Sequence, residues 1–76
     1  MDIRRQVGVN VSRIRRDRGQ SQEELAFDCG LHRTYISGVE RGIRNPTVVV
    51  LERIAKALAV PTAQLLEPTP TQRRRA

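Results

Sequence analysis

Seventy-six residues make one domain at most, near the lower limit at which a single core sustains a fold, so a second ligand lobe or deep substrate cleft is excluded. Fourteen basic residues oppose eight acidic ones, a net charge of +6, and all but one of the basic residues are arginines, whose planar fork bonds phosphate. This favours a phosphate-rich partner over a merely soluble basic surface, while a single histidine and a single cysteine provide no metal cluster, cofactor site or nucleophile–base pair, which argues against an enzyme.

Ile3, Val7, Val11 and Ile14 recur at helical spacing within residues 2–18, with Asp2 beside the positive helix end and arginines toward the other. Gly8 weakens this first helix and Gly19 ends it. Ser21 opens a second helix, and Glu24 stands three residues later, the spacing of a capping box. Its apolar stripe is Leu25, Ala26 and Cys29, so Cys29 reads as core rather than as a reactive thiol. Gly30 closes the helix where positive φ is needed. A third helix over Arg33–Glu40 turns Ile36 and Val39 inward, and Gly42 stops it. Thr47 caps a fourth, in which Val48, Leu51, Ile54, Ala55 and Leu58 face the core. Pro61 ends that helix and starts a short fifth one carrying Leu65 and Leu66.

After residue 67 the sequence alternates threonine with proline and reaches Arg73, Arg74 and Arg75. It reads as a disordered basic tail. The expected architecture is therefore an all-α, five-helix domain over residues 1–67, with residues 68–76 as tail. The longest apolar run, Val48–Leu51, is far too short to span a bilayer, no charged-then-apolar leader opens the chain, and Cys29 has no internal disulfide partner. A cytoplasmic protein without membrane association is expected.

The segment SQEELAFDCGLHRTYISGVERG, residues 21–42, carries the chemistry. Ala26 is small where the second helix would cross the third, Gly30 follows at the bend, and Ile36 and Val39 supply the anchors of the third helix. A helix-turn-helix needs this set in this register. Together with the following RNP and L-x-x-I-A-x-A-L, the segment resembles the Cro/C1-type (XRE-family) helix-turn-helix regulators, which have a lambda-repressor-like fold. Within RTYISGVER it is similar to the controller proteins of restriction–modification systems. The resemblance covers roughly residues 3–66. It implies a transcriptional regulator that binds double-stranded operator DNA as a homodimer, with the third helices in successive major grooves. An antitoxin that represses its own operon and binds a toxin partner is an alternative, as is a protein-interaction module on the same fold. Two features depart from the family pattern: His32 occupies the capping position where Asp or Ser is common, which leaves that helix start less firmly fixed, and the arginine tail is additional.

Arg33 opens the third helix, whose N-terminal part meets base edges, so it pairs with guanine, the alternatives being a phosphate clamp or a solvated arginine. Thr34 suits a thymine methyl or a phosphate, and Tyr35 a phosphate, the groove wall or the domain edge. Ser37 lies one turn further on the same side. These four are the expected base contacts. Gln22 sits at the start of the second helix, where free backbone N–H groups attract phosphate, and Arg41, Arg44 and Asn45 flank the strand from the loop after the third helix. The resemblance further implies a partly buried ion pair between Arg15 and Glu40. Leu65 and Leu66 are neighbours that cannot both enter one core, and Val49 and Val50 add apolar surface beside the main stripe of the fourth helix. These four residues form the expected dimer interface.

Overall fold

The computed structural model describes residues 2–69, and its first helix starts on a side-chain cap. Asp2 accepts the Arg4 backbone N–H at 2.7 Å and pairs with the Arg4 guanidinium at 3.0 Å, opening α1 (Ile3–Asp17). Three more α-helices follow: α2 (Gln22–Cys29), α3 (Arg33–Glu40) and α4 (Val48–Ala57). The expected fifth α-helix is instead a 3-10 helix over Thr62–Leu66. The segment between Pro61 and Pro68 is too short for a helical ladder and has no side-chain cap, so the Gln64 N–H closes back on the Pro61 carbonyl at 3.0 Å. The described residues thus form four α-helices and a 3-10 turn, with no strand.

The helices bury Val11, Leu25, Ile36, Val39, Ile54, Leu58 and Leu65 almost completely. α1 crosses α3 at Gly8, where a Cβ would meet the backbone carbonyls of Val39 and Glu40. The glycine that weakens α1 as a helix is what lets α3 lie against it. Asn10, fully buried, donates through Nδ2 to the carbonyls of Leu65 at 2.9 Å and Glu67 at 2.7 Å. These bonds latch the C-terminal segment onto α1.

Two expectations change here. Leu65 lies at 0% exposure in the protomer's own core, so it has no surface to offer a dimer interface. Thr69 is also buried, so the folded body runs past the expected boundary at residue 67. Arg73, Arg74 and Arg75 lie outside the described residues. Among those described, no helix is long and apolar enough to cross a membrane.

Candidate nucleic-acid interface

The turn between α2 and α3 is fixed from both sides. Ser21 Oγ accepts the Glu24 N–H at 3.0 Å, and Glu24 Oε1 accepts the Ser21 N–H at 2.8 Å, closing the capping box at the start of α2. At the other end Gly30 turns left-handed, with φ 68°, so that the Leu31 N–H reaches the Ala26 carbonyl at 2.9 Å. Arg53, reaching across from α4, donates to the freed carbonyls of Cys29 at 2.8 Å and Gly30 at 3.2 Å. Cys29 itself is buried, and burial pushes its thiol pKa up.

α3 then begins on His32, whose Nδ1 accepts the Thr34 backbone N–H at 3.1 Å. The histidine therefore caps the helix as Asp or Ser would, and the helix start is held where the sequence suggested looseness. Ile36 and Val39 face inward, Arg33 and Thr34 are exposed, and Tyr35 and Ser37 are half-buried beside them.

Arg44 does not stand away from α3. Its guanidinium carbon lies 5.6 Å from the centroid of the Tyr35 ring, and its side chain runs over Gly38, where a Cβ would come within 2.6 Å of Arg44 Cγ. Gly38 thus makes room for an arginine. Arg41 and Asn45 are exposed at the surface after α3, and Asn45 also borders a small cleft with Ile3, Pro46, Leu51 and Leu66.

The C-terminal end of α3 is tied down by charge. Arg15 Nε and Nη2 donate to the two Glu40 carboxylate oxygens at 2.7 and 3.0 Å, and Arg15 Nη1 donates to the Gln20 carbonyl at 2.7 Å. Gln22 Nε2 adds a bond to Glu40 Oε1 at 2.9 Å. The two charged side chains are 10% and 6% exposed. Hydrogen bonding to Glu40 raises the Arg15 pKa against the opposing effect of burial. One network therefore joins α1, α2 and α3, and Gln22 belongs to it as well as to the surface. A shallow depression beside it is lined by Arg15, Ser21, Gln22, Glu23 and Arg33, which brings Gln22 next to the start of α3.

Of the residues assigned to a dimer face, Val49 is 63% and Leu66 42% exposed, while Val50 packs partly against the core. Val48, expected inside, is 77% exposed. The cap has turned the first residue of α4 outward. Sequence reasoning missed the roles of Arg53, Asn10 and the Arg44–Tyr35 stack. Asn10 alone left a signal, since it stands three residues after Val7 on the buried stripe.

The fold and its relatives together define a DNA-binding regulator of transcription. The chain belongs to the helix-turn-helix family, whose profile matches residues 11–65. It is 46% identical over 69 residues to the HTH-type transcriptional regulator y4dJ of Sinorhizobium fredii, covering 91% of this chain and 90% of that one. It is 49% identical over 67 residues to the control protein C.BamHI of Bacillus amyloliquefaciens, covering 87% and 83%. Among solved structures, the restriction–modification controller protein C.Esp1396I, a tetramer in complex with its natural 35 base-pair operator, superposes with a TM-score of 0.76 at 36% identity. That match covers 88% of this chain and 99% of the controller. Controllers of restriction–modification systems are thus among its relatives.

Proposed function

We propose that this regulator binds operator DNA as a homodimer, each protomer laying α3 in the major groove. Arg33, Thr34, Tyr35 and Ser37 read base edges, and Gln22, Arg41, Arg44 and Asn45 hold the flanking phosphates. The observation that supports this most is the contrast within α3. Arg33 and Thr34 are exposed at its N-terminus, while Ile36, Val39 and the Glu40 network fasten the rest to the scaffold. An eight-residue helix is marginal alone in water, so its orientation comes from these anchors. Arg44, stacked on Tyr35, loses less freedom on meeting a phosphate than a loose arginine would. Val49 and Leu66, with Val50 behind them, provide the apolar face for the second protomer.

The two arginines distinguish reading from gripping. A binding selection on random duplexes gives the preferred site, and titration over its single-base variants gives the profile. Arg33→Ala should cost about 1–3 kcal/mol on the preferred site and relax one position per half-site. Arg44→Ala should weaken all sequences alike and lower the log–log salt slope by about 0.9 for each phosphate it no longer neutralises. If Arg33→Ala also weakens every sequence equally, α3 does not read bases through Arg33.

A further inference from the structure

The arrangement at the start of α3 assigns His32 more than a capping role. The Thr34 backbone N–H donates to His32 Nδ1 at 3.1 Å, and Thr34 Oγ1 lies 2.7 Å from the same nitrogen. A ring nitrogen that accepts from an amide carries no proton, so the neutral imidazole keeps its proton on Nε2. With Nδ1 fixed as acceptor, the hydroxyl must be the donor in the second contact. We infer that His32 is a positioning residue for sequence reading. By taking the Thr34 hydroxyl hydrogen, it leaves Thr34 to face DNA with an oxygen that only accepts and with its methyl group. The inference rests on the reading that α3 enters the major groove.

This arrangement decides what Thr34 recognises. Phosphate oxygens, guanine O6 and N7, and thymine O4 are all acceptors, and a hydroxyl whose hydrogen is already engaged gives them nothing. The amino groups of adenine and cytosine donate, and the thymine methyl packs against the threonine methyl. Thr34 therefore favours an amino or methyl edge and leaves the phosphates to the arginines. A threonine free to rotate would donate as readily as accept and would discriminate less. Arg33 beside it is a pure donor, suited to the guanine edge. The two exposed residues that open α3 thus carry opposite hydrogen-bonding character.

The test uses the full chain and the duplex variants of its selected site. His32→Asn keeps a neutral acceptor at a strong capping position, His32→Ala removes both cap and acceptor, and Thr34→Val keeps the shape without the oxygen. Thermal melts run alongside. Loss of a cap alone lowers the melting temperature and affinity for every duplex together, and does not move the profile. The expected result is that His32→Ala changes preference at the same position as Thr34→Val, by roughly five-fold or more, the scale of one base-edge contact. At that position His32→Ala should newly tolerate an acceptor edge, and His32→Asn should restore the original profile. An unchanged profile in His32→Ala, or no restoration by His32→Asn, overturns the inference. If Arg33→Ala still relaxes its own position in that case, groove reading stands and only the role of His32 falls. If no variant moves any position, groove reading falls with it.

Discussion

Removing Arg15 should cost this fold more than any exposed charge could. Arg15→Ala leaves the Glu40 carboxylate, 6% exposed, with Gln22 Nε2 as the bond that remains of those it accepts here. Glu40→Ala leaves Arg15 with the Gln20 carbonyl, a weaker partner for a buried cation. Stranding one member of a buried pair costs about 3–5 kcal/mol, against about 0–1 kcal/mol for an exposed pair. At about 0.05–0.15 kcal/mol per residue a domain of this size has roughly 4–11 kcal/mol in all. Either single change therefore removes a large share of the stability. The double variant strands neither charge, so it should be more stable than the sum of the singles allows, by about 2–3 kcal/mol. Urea melts followed by circular dichroism would measure the cycle. A double variant that folds where a single one does not would show the same coupling. Additivity within about 0.5 kcal/mol would refute it and mean that the two charges do not depend on each other.

Gly8→Ala gains about 1 kcal/mol of helix propensity, but its methyl meets the Val39 and Glu40 carbonyls, so thermal melts should show net destabilisation of about 1–3 kcal/mol. Gly38→Ala brings a methyl to 2.6 Å from Arg44 Cγ, near the root of that side chain, so it should lower the melting temperature modestly and lower DNA affinity in titrations as Arg44 is displaced from Tyr35. The Glu24 carboxyl is held below its usual pKa by the Ser21 backbone N–H and hydroxyl, so its contribution to stability is complete above the unfolded value, about 4.3, and is lost as pH falls through the lower folded value. Glu24→Gln keeps the cap without titrating, and denaturant melts across that acid window should show a shallower pH dependence than wild type. Leu66→Glu or Val49→Glu should give a stable monomer in sedimentation with weakened operator binding, whereas a wild-type monomer at high micromolar concentration would reject this face as the dimer contact.

What was legible in the sequence was local. Ser21 with Glu24, Gly30, and Thr47 before the valines each announce a helix end through bonds spanning only a few residues, and the α-helix ends follow them. The outward side of α3 was legible for a similar reason, since Ile36 and Val39 fix which side turns inward and leave Arg33 and Thr34 exposed with Ser37 half-buried beside them. Contacts distant in sequence were not legible from the residues themselves, and the Arg15–Glu40 pair came only from the family resemblance. Gly8 looked like a weakness because its benefit lies in the carbonyls of residues 39 and 40. Adjacency showed that Leu65 and Leu66 cannot share a core, but which one enters depends on the 3-10 turn and on Asn10 of α1, which holds the Leu65 carbonyl. Arg53 and Arg44 have no periodic signature, because each acts on backbone or a ring far along the chain.

The constraints on α3 come from every other α-helix. Gly8 of α1 sets how closely it lies, Arg15 and Gln22 from α1 and α2 hold its C-terminal end, and Arg53 of α4 fixes the turn that precedes it. Its N-terminal end has a side-chain anchor in the cap, His32, and that anchor also engages the exposed Thr34 side chain. Folding therefore orders the helix by itself, so binding through it would bear little further ordering cost for the scaffold. Substitutions at Gly8, Arg15 or Arg53 should accordingly lower affinity in step with stability and leave sequence preference intact. Those at Arg33 and Thr34 should change preference at nearly constant stability. His32 lies where the two sets meet, since the same nitrogen holds the helix and the hydroxyl.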